Sequence, residues 1–189
     1  MERFFYICDI NFKFLLMKKI IVALLFGFLG FAQEMPKITK DGFAPIIVEV
    51  EGKTSAEIYA KAKEWIQTYY KNPSEVLKAD IPNEMIRING YAVDGYKTKN
   101  LGMVYGYDFD YTIEIEFKDG KYKYTYIVGQ FWSLGKHVLY SYRTFFKSDN
   151  SVKKAYQLSY DSINETANST SFSLFDYITG KTKKEKSDW

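Results

Sequence analysis

The sequence predicts an α+β domain in which two helices pack on one face of an antiparallel sheet. Three observations carry this expectation: a capped, amphipathic helix over 54–71, a long alternating hairpin centred on Asp119-Gly120, and a second helical stripe beyond Asp149. Strands grouped between two helices, rather than alternating with them, indicate an antiparallel sheet covered on one side. The aromatic content, 19% with 17 Tyr and 15 Phe, leans the same way, because aromatic side chains favour the half-buried surface of a strand.

The first residues read as an address. Residues 1–16 look like an overextended start with Met17 the true initiator. Lys18 and Lys19 form a basic start, Ile20 to Phe31 an apolar run, and Gly30 and Ala32 supply small residues before a cleavage point. That is the three-part pattern of a secretory signal over 17–32, and the run is too short for a comfortable membrane span. The expected location is the periplasm or cell surface, with no integral membrane segment after cleavage. Cys8, the single cysteine, lies upstream of that point, so disulfides and thiolate chemistry are not expected in the remaining chain. Of the net charge of +3, part resides in Arg3, Lys13, Lys18 and Lys19, and the chain beyond Ala32 is near neutral. A nucleic-acid partner, which calls for a strong basic footprint, is therefore not expected.

Residues 33–45, with Pro36, Gly42 and Pro45, read as a flexible lead-in to a single domain over 46–178. Ile46 to Val50 is a β-rich run and the first strand. Thr54-Ser55-Ala56-Glu57 has the spacing of a capping box. Ile58, Ala62, Trp65, Ile66 and Tyr69 then form one stripe at helical spacing, ended by Asn72-Pro73. Residues 75–80 and 85–93 read as two shorter strands around Pro82-Asn83, and Asp94 to Gly106 as loop.

From Tyr107 to Phe131 the chain alternates. Tyr107, Phe109, Tyr111, Ile113, Ile115 and Phe117 share one face; Asp108, Asp110, Thr112, Glu114 and Glu116 share the other. Asp119-Gly120 reads as a two-residue turn with positive φ at both positions. It predicts Phe117 opposite Tyr122, Glu116 opposite Lys123 and Ile115 opposite Tyr124. Residues 137–147 read as a strand or an ordered excursion. Asn150 or Ser151 is the expected cap of the last helix, with a partial stripe of Ala155, Leu158, Ile163 and Ala167. Residues 179–189 make a basic tail.

A short signal-like start, the strand at 46–50 followed by EGKTSAEIYAKAKEWIQTYYKNPSEVLKAD, and the hairpin containing IEIEFKDGKYKYTY resemble a family of uncharacterised secreted bacterial domains with a TATA-binding-protein-like (TBP-like) fold. The resemblance implies a curved antiparallel sheet carrying two helices. It implies no activity and no cofactor, and the name of the fold does not imply DNA binding.

Chemistry-bearing residues are few. His137 is the only histidine, with no orienting acid at a recognisable spacing. Asp108, Asp110, Glu114 and Glu116 would serve a carboxylate-dependent hydrolase only if two of them converged in a pocket. No cofactor, metal or catalytic set is expected. Tyr91, Tyr96, Tyr105, Tyr140 and Tyr142, with Trp132, sit in or near expected loops and are the candidate binding surface, suited to stacking on sugars or to a protein contact. The expected function is a non-enzymatic exported module that binds another envelope protein or a surface polymer. A small hydrolase and a lipophilic-ligand carrier are the alternatives.

Overall fold

The computed structural model describes residues 35–181. The chain divides into units 1–31 and 32–189, and all described residues belong to the second. The expectations for the signal, the overextended start and most of the basic tail lie outside the described residues.

Six strands form one antiparallel sheet: β1 (Ile46–Glu49), β2 (Leu77–Ile81), β3 (Met85–Asn100), β4 (Met103–Lys118), β5 (Lys121–Ser133) and β6 (Lys136–Val138). Their order is β1-β5-β4-β3-β2, with β6 paired to the far part of β5. Helix α1 (Ser55–Tyr69), the single-turn α2 (Pro73–Val76) and the long α3 (Gln157–Thr179) complete the regular structure. The sheet is open, and α1 and α3 cover one side of it.

The capping box starts α1 as the sequence predicts: Thr54 Oγ1 accepts from the Glu57 amide, and the Thr54 amide donates to Glu57 Oε2 at 2.7 Å. Of its stripe, Ile58, Ala62, Trp65 and Ile66 are buried and Tyr69 is exposed. The β4–β5 register also follows the prediction, with Phe117 opposite Tyr122, Glu116 opposite Lys123 and Ile115 opposite Tyr124. The turn itself differs. Gly120 alone takes positive φ, at 75°, while Asp119 does not. Asp119 instead accepts from the Ser55 amide at 2.8 Å, and the Gly120 amide donates to Lys53 O, so the turn is shaped by the start of α1.

Three further expectations are corrected. Residues 94–106 are not a loop: β3 runs on to Asn100 and β4 begins at Met103, so the central hairpin is much longer than its alternation suggested. Neither Asn150 nor Ser151 caps the last helix, because Ser151 turns back to Asp149; the helix starts at Gln157 after a 3-10 turn and Tyr156 supplies no side-chain cap. Its buried face begins at Ser159, leaving Ala155 and Leu158 exposed. Residues 137–147, by contrast, form one of the two things expected of them, an ordered excursion, with a short strand ending at Val138 and a 3-10 turn at Tyr142–Phe145.

The third correction concerns the lead-in, which is docked rather than flexible. Met35 and Ile38 are buried, and their amides donate to Asn168 Oδ1 and Asn164 Oδ1 on α3 at 2.9 and 2.8 Å. An amide held by a buried side chain is fixed in place, since leaving it unpaired would be costly.

The core residues lie between Met35 and Ile178, so this unit encloses its own core. Ile46 and Val48 of β1, Ile86 and Ile88 of β3, Phe109 to Phe117 of β4 and Tyr122 to Tyr126 of β5 meet the stripes of α1 and α3. Much of the buried face of α3 is small and polar. β2 pairs only with the first residues of β3, leaving the rest of that strand's outer edge open. There Ser162 Oγ accepts from the Lys97 amide at 2.9 Å and Thr166 Oγ1 donates to Gly95 O at 3.0 Å. A helix with hydroxyls on its inner face thus satisfies a strand edge that would otherwise recruit another chain.

Tyr122, Tyr124 and Tyr126 are nearly or fully buried, and none of their hydroxyls has a hydrogen-bond partner. Burial above all pushes the ionisation of Tyr124 and Tyr126 well above the ordinary range, so they stay neutral. Tyr124→Phe is expected to raise stability by about 1 kcal/mol, because it removes a desolvated, unpaired oxygen and keeps the ring. Urea denaturation at unchanged slope would show it; a loss of stability would mean the hydroxyl is satisfied.

Candidate functional site

The sheet face away from the helices carries the odd-numbered residues at the start of β3 and the even-numbered residues of β4. Along most of its length its charges are matched across strands: Arg87 with Glu114 and Lys123 with Glu116, each at 2.8 Å. Near the far end of β4 the pattern changes.

Both strands beside β4 bulge at the same level. On β3, three residues (93–95) intervene between the pairs Ala92↔Phe109 and Tyr96↔Tyr107; on β5, Gly129 and Gln130 share the place opposite Asp110. Asp108 and Asp110, on the open face between them, each clasp one bulge. Asp108 Oδ1 accepts from the Asp94 amide and Oδ2 from the Tyr91 hydroxyl, both at 2.9 Å. Asp110 Oδ1 accepts from the Gln130 amide at 2.6 Å and Oδ2 from Trp132 Nε1 at 3.3 Å. Asp94, at φ 51°, is held in a left-handed turn by this contact. A Cβ on Gly129 would collide with the Asp110 carboxylate, so glycine is what allows that carboxylate to approach the bulge.

The result is a row across four strands: Tyr91 on β3, the two aspartates on β4, Trp132 on β5 and His137 on β6. Trp132 and His137 meet edge to face at 5.7 Å. Desolvation and the neighbouring Asp108 push Tyr91 up to about 12, so its hydroxyl remains a donor at any physiological pH. Tyr91 is half exposed; Trp132 is partly buried.

Of the six candidate residues, then, the structure sets Tyr91 and Trp132 on one open face, either side of Asp108 and Asp110, and puts Tyr96 and Tyr140 against each other elsewhere. Tyr96 is buried and faces the helices, with ring centroids 5.2 Å from Phe131 and 5.3 Å from Tyr140. Tyr140 is half-buried against Phe131 and Phe145. Both are core contacts rather than binding surface, because the supposed loops around them are a strand and a packed excursion. Tyr105 is exposed on the projecting part of β4, and Tyr142 is half-buried over Gly42. The partners of Tyr91 and Trp132 were missed by sequence reasoning; the signal was an Asp-x-Asp on a central strand facing a glycine on the next.

Asp108, Asp110, Glu114 and Glu116 lie along one open strand, and each is engaged by its own partner, so no two converge in a pocket. Among the described residues no cluster of three metal-ligating side chains occurs. Two clefts flank the helices. One of about 720 Å³ lies between the end of α1, α3 and the β3 bulge, lined in part by Tyr69, Tyr70, Ser162 and Thr166. The other, of about 670 Å³, lies between α1 and α3 beside Trp65 and Tyr177. Both open to the surface.

Residues 46–127 match the model of a family described as a domain of unknown function (DUF4468) with TBP-like fold. Over this segment the chain is similar to DUF4468 domains. The match takes in β1 through most of β5, including Tyr91, Asp108 and Asp110, and stops before the β5 bulge, Trp132 and α3. Solved structures are also similar to the chain. A TBP-like protein from Parabacteroides distasonis superposes with a TM-score of 0.53 at 13% identity, over 71% of this chain and 90% of that one. A DUF4468 family protein from Bacteroides ovatus gives a TM-score of 0.49 at 12% identity, over 80% and 91%. At 13% identity the likeness to the Parabacteroides distasonis protein is one of fold alone. No curated protein matches the chain.

Proposed function

We propose that this chain is a non-enzymatic, exported binding module of the cell envelope, which engages a surface polymer or another envelope protein through the bulged end of its open sheet face. One observation carries the reading: Tyr91 and Trp132 flank a pair of aspartates on a helix-free surface, where latched bulges hold their positions. Fixed aromatic rings beside polar groups give stacking area at little entropic cost, a combination suited to sugar rings and to protein hot spots. Export is supported by the basic-apolar-small pattern of residues 17–32. Among the described residues no helix is long and apolar enough to cross a membrane. Nucleic acid has no place in the reading, since the open face pairs Arg87 and Lys123 with carboxylates.

The test is retention of the protein on immobilised envelope polysaccharide and on immobilised envelope protein. Tyr91→Ala with Trp132→Ala is expected to reduce retention on one of these by at least about tenfold, the effect of losing aromatic anchors. Equal retention of both forms would sink the idea.

A further inference from the structure

The two hairpins at the far end of the sheet close in the same unusual way. Asn100 pairs with Met103 and Ser133 with Lys136, so each loop has two residues. Leu101 and Gly102 fill the first, at φ 48° and 84°; Leu134 and Gly135 fill the second, at φ 49° and 74°. A turn with positive φ at both positions favours Asn, Asp or Gly first, because a side chain with Cβ there crowds the following carbonyl. Leucine is the wrong residue for the backbone. It is also the wrong residue for water: Leu101 is 91% exposed and Leu134 is 99% exposed. Backbone strain kept at two exposed positions points to a use for the side chains.

Topology sets both tips toward one end. β4 runs from Leu101-Gly102 toward Asp119-Gly120 and β5 returns, so Leu134-Gly135 lies toward the same end as Leu101-Gly102, set back along β4 because Trp132 pairs with Asp108 while the first tip closes at Met103. Met103 and Val104, both more than half exposed, extend the apolar edge of the first tip. Basic residues border the tips: Lys97 and Lys99 precede the first and Lys136 follows the second. The nearest acidic residues in sequence, Asp94 and Asp108, are held by the β3 bulge, the Asp94 carboxylate against Gly106 and Asp108 bonded to the Asp94 amide.

We infer that these two tips dock the domain on an anionic lipid bilayer. Leu101 and Leu134 enter the headgroup–acyl boundary while Lys97, Lys99 and Lys136 meet anionic headgroups. Apolar side chains backed by basic ones are what an interfacial membrane contact uses, with neither sufficient alone. Charge favours this occupant over a second copy of the chain, since two such ends would repel each other. The inference stands apart from the proposed role of Tyr91 and Trp132.

The test uses residues 32–189, which enclose the core and omit the apolar run at 20–31. Co-sedimentation is measured with vesicles of phosphatidylcholine alone and of phosphatidylcholine mixed with phosphatidylglycerol. The protein is expected to bind the mixed vesicles more strongly, and less so as salt rises. The double variant Leu101→Asn, Leu134→Asn is expected to lose at least about tenfold in vesicle partitioning, the scale of removing buried leucines. Asparagine tolerates positive φ, so its melting temperature should hold or rise, and lost binding cannot be ascribed to misfolding. Three results would overturn the inference: no sedimentation of the unaltered protein with anionic vesicles, equal partitioning of the double variant, or a dimer that the same variant dissociates while vesicle binding persists.

Discussion

Trp65→Ala is expected to lower the free energy of unfolding by about 3–5 kcal/mol, the range for deleting a large buried aromatic. Trp65 is 1% exposed and lies at the junction of α1 and α3. Its indole Nε1 donates to Ser173 Oγ on α3 at 3.0 Å. Its ring stacks on Tyr69 at 4.8 Å and meets Tyr70 edge-on at 5.7 Å. Alanine would leave both a cavity and an unpartnered Ser173 hydroxyl between the two helices. Single domains of this size have about 5–15 kcal/mol in total, so the variant should unfold at a much lower urea concentration, with a similar slope. A loss below about 1 kcal/mol would show that the helices relax into the gap, and that sheet contacts rather than the α1–α3 junction hold the layer in place.

Gly90→Ala should also destabilise, by about 1–3 kcal/mol, through overpacking rather than a void. Gly90 lies on the inner face of β3, and a Cβ there would overlap the ring of Tyr111 on β4. That ring cannot swing aside cheaply. It is stacked on Tyr126 at 4.9 Å, and its hydroxyl shares a hydrogen bond of 3.2 Å with the Tyr70 hydroxyl. The diagnostic measurement is a double-mutant cycle. With Tyr111→Val the ring is gone, and the penalty for Gly90→Ala should nearly vanish, since neighbouring sites couple when one change relieves the other. An undiminished penalty would place the cost in the backbone of β3 instead.

What could be read from the residues followed from local rules. The capping box and stripe of α1 are contained within 54–69, and the β4–β5 register follows from alternation around a two-residue turn. Where a tertiary contact decides, reading failed. The extension of β3 and β4 through 94–106 was hidden because three glycines and a leucine turn look like loop, while the structure uses them for a bulge and a hairpin tip. The serines and threonines of α3 look like a solvent face, yet they close the edge of β3, a role visible only once the strand is in place. Met35 and Ile38 have no periodicity to announce them. For the candidate site, strand alternation sends Tyr91 outward and Tyr96 inward, so the two parted as soon as 91–96 proved to be strand. Trp132 shares that outer face with Tyr91, each bonded to one of Asp108 and Asp110, whose alternation by itself shows only that they lie on one side of a strand.

The placement of β1 and the lead-in has a consequence for the order in which the chain assembles. β2 to β5 are neighbours in sequence as well as in space, and each hairpin closes a short loop. β1 reaches β5 across more than seventy residues, as Ile46 opposite Tyr124 shows, and Met35 is bonded to Asn168 near the opposite terminus. Closing such distant ends costs more chain entropy than closing a hairpin, and that cost is recovered only when α3 is already present. The meander is therefore favoured as the early structure and the knitting of the two ends as the last step. A chain truncated within α3 would forfeit the anchorage of its own beginning.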